Sequence, residues 1–171
     1  PGMEPWFFIS ELKKTYDVKE ISSNADNIDP SIDLLIVFHP KRFGYRTAYA
    51  IDQFVVSGKN AIFYEDPLCM NDPEARPNQA RTLQTSELDP VFASWGFNMV
   101  AGKAVADLKQ ATQVRNQFNF VEYNPTWITA REKALNRKSI LTANLDSMLL
   151  PVAGTFEKGS KFKGDWEVLI N

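Results

Sequence analysis

The chain has one cysteine, Cys69, one histidine, His39, and no surplus of charge of either sign across its 171 residues. A lone cysteine excludes an intrachain disulfide framework. With 19 basic against 21 acidic residues the formal net charge is −2. The basic footprint that phosphate neutralisation demands is therefore missing, and nucleic acid is not an expected partner. No stretch approaches the roughly 20 consecutive apolar residues of a membrane-spanning helix, and no signal peptide opens the chain. Walker A and GxGxxG loops are lacking, which removes two common cradles for ATP and dinucleotides. CxxC, HxxxH and His/Asp pairs at ligand spacing are lacking as well, so neither a metal nor a cofactor is expected.

What is there is a well-stocked core. At 44% hydrophobic and 12% aromatic residues, a chain of this length can bury enough surface to fold without disulfides or metal. A single domain over residues 1–171 is expected. The opening "PGMEPWFF" and the apolar ending "WEVLIN" read as cut ends, hence the expectation of a soluble segment excised from a larger membrane-anchored protein.

Hydrophobic spacing places the elements. Trp6, Ile9, Leu12 and Tyr16 recur at intervals of three and four, predicting a short amphipathic helix, and "VKEI" at 18–21 predicts a short edge strand. The uninterrupted run Leu34–Phe38, bounded by Asp33 and Pro40, predicts a strand buried on both faces. Ala48, Ile51, Phe54 and Val55 form a helical stripe, with Gly58 at the left-handed C-cap. "NAIFYEDP" then predicts a second buried strand. Two such strands around one helix make a βαβ unit with parallel strands and a right-handed crossover. The fold class that follows is α/β, an open, mostly parallel sheet with helices on both faces. Residues 67–86 predict a long loop, and "SELDPVFASWG" a helix capped by Ser86, closed by Gly96, and buried through Leu88, Phe92 and Trp95. Beyond it, "GKAVADL" and "QFNFVEY" predict strands, and 128–137 a weak helix.

Five separated blocks carry a resemblance: "DLLIVFHPK", "AYAIDQFVVSG", "AIFYEDP", "LDPVFASWGFNMVAGKAVAD" and "ILTANLDSMLLPVAG". In this order and spacing, from about Trp6 to Gly154, the chain resembles the auxiliary component of an uncharacterised ABC-type transport system, the GldG-like family tied to gliding motility. The resemblance implies a flavodoxin-like or class I glutamine-amidotransferase-like sheet, and a kinship with a domain of intraflagellar transport proteins. It also implies an extracytoplasmic (periplasmic) domain of an inner-membrane protein, partnered by an ABC permease and ATPase and tethered through segments outside residues 1–171. Two positions depart from the family pattern. Gly44 stands where a Ser usually opens the helix, and Ser57-Gly58-Lys59 where paired glycines are usual. A strand ahead of Trp6 is also expected from the family.

In an open parallel sheet, ligands settle beyond the carboxyl ends of the strands. That rule puts His39 and Lys41, after the first strand, near Glu65, Asp66 and Cys69, after the second. His39, Lys41, Asp66 and Cys69 form the candidate ligand or partner rim. Cys69 with His39 is a hydrolase or amidotransferase pair on paper, but "DPLCMND" is no strand-to-helix elbow. His39 is expected to close the turn before Pro40, which favours extended backbone. Asp52 is expected in solvent. Trp6, Trp95, Trp127 and Trp166 are expected mainly in the core, with a carbohydrate-binding surface as the alternative. The leading expectation is a non-enzymatic binding or scaffold domain.

Overall fold

A computed structural model describes residues 6–70, 72, 85–100 and 102–171. Most of the expected 67–86 loop, namely 71 and 73–84, lies outside the described residues. The parallel pair is present: β1 (Leu34–Phe38) runs beside β2 (Asn60–Tyr64), with Ile36 opposite Ile62 and Phe38 opposite Tyr64. Helix α2 (Tyr45–Val56) connects them. Gly58, just past its end, takes φ +88°, the left-handed conformation that its missing Cβ permits.

The wider expectation of an open, mostly parallel α/β sheet with helices on both faces is overturned. Among the described residues the parallel sheet stops at these two strands, and the other ladders are antiparallel. A further parallel strand needs a crossover of a dozen or more residues, usually helical. After α3 (Asp89–Trp95) no described residue is helical. β4 (Ala111–Arg115) instead turns directly into β5 (Val121–Arg131), which pairs on its other edge with β6 (Ser147–Pro151). β3 (Phe97–Met99) pairs with β7 (Phe156–Lys158). The expected helix at 128–137 is strand through Arg131, followed by turns. The expected strands at 18–21 and 102–108 have no ladder; of the expected strand at 117–123, residues 121–123 open β5 while 117–120 belong to the β4–β5 turn.

β1 is not buried on both faces. Leu35 and Val37 point into a core with Ile51, Phe54, Leu88, Val91 and Phe92, so α2 and α3 pack on one and the same side. On the other side Leu34, Ile62 and Tyr64 are exposed. That side is met by α1 (Phe7–Leu12), which buries no residue of its own and sets Phe8, with the preceding Trp6, edge-on to Phe38. An all-apolar run thus marks a strand with one face on the core and one apolar face outward. Composition alone does not separate that from double burial.

α3 ends as expected on Gly96 in the left-handed conformation, but it is not capped by Ser86. Its N-cap position is Leu88, and Pro90 in its first turn sets the start. Ser86 is thereby freed for the site described next. Phe92, only 1% exposed, anchors an aromatic cluster with Phe63, Trp95, Phe97 and Phe156. The cluster extends through Phe97 to Phe162 and Trp166.

Candidate functional site

The carboxyl ends of β1 and β2 are clasped together by the segment leading into α3. The Ser86 N–H donates to the Asp66 carbonyl at 2.9 Å and the Glu87 N–H to the Pro40 carbonyl at 2.8 Å. The Thr85 hydroxyl donates to the Pro67 carbonyl at 2.9 Å. Ser86, 2% exposed, also accepts the Asp66 N–H on Oγ at 2.8 Å. These bonds satisfy backbone groups that would otherwise be orphaned where the parallel ladder ends.

His39 lies beneath this clasp. Its N–H extends the ladder to the Tyr64 carbonyl at 2.9 Å, yet its φ is +41°. The extended backbone expected before Pro40 is therefore replaced by the left-handed region, which a non-glycine residue enters only when surroundings hold it there. Here both ring nitrogens are held: Nδ1 lies 2.7 Å from Ser86 Oγ and Nε2 3.4 Å from Asp72 Oδ2. Because Ser86 Oγ already accepts the Asp66 N–H, the neutral ring fits with the serine O–H donating to Nδ1 and Nε2–H donating to the carboxylate. Lys41 Nζ sits 2.5 Å from the same Asp72 oxygen, with the Asp72 side chain 1% exposed. The lysine charge offsets the cost of desolvating that carboxylate.

All four expected rim residues meet in this region. The ligand atoms of His39, Asp66 and Cys69 lie within 4.8 Å of one another, each half-buried, while Lys41 joins through Asp72. Sequence reasoning missed Ser86 and Asp72. Ser86 resembled a helix cap, and only Pro90 in the first turn signalled that the helix starts later. Asp72 carried no local signal, because its place beside His39 and Lys41 is set by residues more than thirty positions away in the chain.

Other expectations divide. Asp52 is not merely solvated: its Oδ1 accepts the Trp95 indole N–H at 2.8 Å, fastening α2 to α3. Among the tryptophans Trp6 and Trp166 are exposed, while Trp95 packs against the core. Two acids with lowered pKa stand away from the rim. Ser31 hydrogen bonds hold Asp29 below its usual range, and Gln110 and Lys109 hold Asp107 below its own. Both are ordinary turn acids whose charged form accepts local N–H groups.

A parallel strand pair ending in a clasped, half-buried polar rim, followed by antiparallel ladders, defines the class by architecture: a mixed α/β domain. The particular family comes from comparison. The family described as "ABC-type uncharacterized transport system" matches residues 1–171, and the chain belongs to it, as an auxiliary component of an ABC transporter. No curated protein and no solved structure matches the chain.

Proposed function

We propose that this chain is a non-enzymatic binding or scaffold domain that docks onto the permease of its transport system, the permease in turn carrying the ATPase. The observation that carries the proposal is the apolar outer face of the β1–β2 pair. Leu34, Ile62 and Tyr64 are 45%, 41% and 47% exposed, and Ile36 and Ile62 stand opposite each other in register. Trp6, packed on Phe38 just ahead of α1, extends the patch at 59% exposure. A two-stranded sheet whose outer apolar face is covered only in part, by Trp6 and Phe8 on Phe38, has surface that association would bury favourably. An extracytoplasmic position and a gliding-motility role are the finer parts of the proposal. They are supported by the five-block resemblance to the GldG-like branch.

The proximity of Cys69 and His39 favours a second reading, a cysteine hydrolase. Against it weigh the path of the chain and the setting of the ring. Residues 65–70 form no helix, so Cys69 does not sit on the elbow that presents a nucleophile. His39 is engaged at both nitrogens by Ser86 and Asp72.

Co-purification with the cognate permease and ATPase tests the docking face. Ile62→Asp and Leu34→Glu are expected to abolish co-purification while circular dichroism stays unchanged. A folded double variant that still co-purifies in full would remove the β1–β2 face from the interface.

A further inference from the structure

We propose that His39, Asp66 and Cys69 form a binding site for a divalent late transition metal, with zinc the best chemical match. The inference goes beyond the transport role and does not depend on it. One imidazole nitrogen, one thiolate and one carboxylate oxygen are the donor types that zinc takes together. Their ligand atoms come within 4.8 Å of one another at the half-buried end of the parallel pair. Tetrahedral coordination with bonds of about 2.0–2.3 Å puts ligand atoms roughly 3.5 Å apart. Side-chain rotation of about an ångström closes the difference. The local spacing of these residues in the chain, 39, 66 and 69, is no metal motif. The parallel register brings two strand ends together and makes the set.

A ligating imidazole donates its second N–H to a fixed acceptor, and His39 has one on either side. A metal at Nε2 replaces the Asp72 contact, and Nδ1–H then donates to the second lone pair of Ser86 Oγ, 2.7 Å away; a metal at Nδ1 replaces the Ser86 contact and leaves Nε2–H on Asp72 Oδ2 at 3.4 Å. The Asp66 backbone is fixed in turn by Ser86, whose Oγ accepts its N–H and whose N–H donates to its carbonyl. The Ser86 clasp thus anchors the backbone of one ligand beside the ring of another. Metal binding releases the Cys69 thiol proton to solvent, leaves His39 neutral at its ligating nitrogen, and involves no redox step.

Titration of the 171-residue chain with Co²⁺, followed by Zn²⁺ displacement, tests the site. One equivalent of Co²⁺ is expected to produce a thiolate-to-cobalt charge-transfer absorption, and Zn²⁺ is expected to abolish it. Cys69→Ser should remove the absorption, and His39→Asn and Asp66→Asn should each weaken Zn²⁺ binding tenfold or more in chelator competition. Asn at position 39 tolerates the left-handed backbone, which keeps that variant folded. Wild-type protein supplies a measurement independent of variant folding: saturating Zn²⁺ should protect Cys69 from alkylation. Absence of the charge-transfer absorption, unchanged alkylation under Zn²⁺, or full Zn²⁺ affinity in Cys69→Ser would each overturn the proposal.

Discussion

The unit from Leu34 to Trp95 and the ladder from Ala111 to Pro151 are built by different means. The first packs two strands and two helices around large side chains, Leu35, Val37, Ile51, Phe54, Leu88, Val91 and Phe92. The second has a small core of Ala130, Ala134 and Leu135, lined by Leu150 and Ile170. It relies more on its ladder and on cross-strand polar pairs such as Thr112 and Thr129, whose hydroxyls lie 2.6 Å apart. The comparison shows where burial energy is concentrated. Parallel pairing, with its long connection through α2, requires a large apolar core to offset chain entropy, whereas the β4–β5 hairpin closes a short loop at 116–120 and needs less.

Truncation should show that difference. Phe92→Ala removes the residue on which four rings converge and should destabilise by about 3–5 kcal/mol, read as a loss of denaturation midpoint. Next comes Gly96→Ala, which probes the end of α3 where the backbone of Lys161 and Phe162 passes against it. Gly96 has φ +87°, and a Cβ there would lie 2.5 Å from the Phe162 backbone nitrogen. The left-handed backbone costs an added Cβ about 1–2 kcal/mol, and overpacking about 1–3 more, so a loss of about 3 kcal/mol is expected in chemical denaturation. Leu135→Ala, in the smaller core, should cost about 2 kcal/mol, the low end for such truncations because fewer apolar neighbours surround it. A Leu135→Ala loss equal to that of Phe92→Ala would break the comparison.

The smallest effect belongs to Asp107, at the turn entering β4. Its carboxyl is held below the ordinary 3.8 by the Gln110 side chain first and the Lys109 N–H second. A depressed folded-state pKa contributes stability that is present above the unfolded value and lost as pH falls through the folded one. The stability gap between wild type and Asp107→Asn should therefore stay level above about pH 5 and shrink as pH drops through and below 3.8. Thermal melts across that range measure it.

The legible parts were those with a local cause. The helix at 45–56 was visible because an apolar stripe ran at helical spacing into Gly58, and α3's end because Gly96 supplied a left-handed stop. The parallel pair was visible because two apolar runs bracketed that helix. The extent of the sheet was not legible. A run such as Leu34–Phe38 has the same composition whether one or both faces are covered, and the strand pattern of 121–131 overlaps with that of a weak helix. The rim was half legible. The strand-end rule named His39, Lys41, Asp66 and Cys69, while Ser86 and Asp72 entered only through distant chain segments.

By itself the sequence determined the helices with marked stops, the βαβ unit and the family. Those depend on residue type and near-neighbour spacing, which a linear text preserves. Tertiary structure alone decided that the parallel sheet stops at two strands, that α2 and α3 share one face of it, and that Ser86 clasps His39 to Asp66. Each of these depends on which remote segments compete for one surface or one hydrogen bond, and that competition is settled only when the chain has closed on itself.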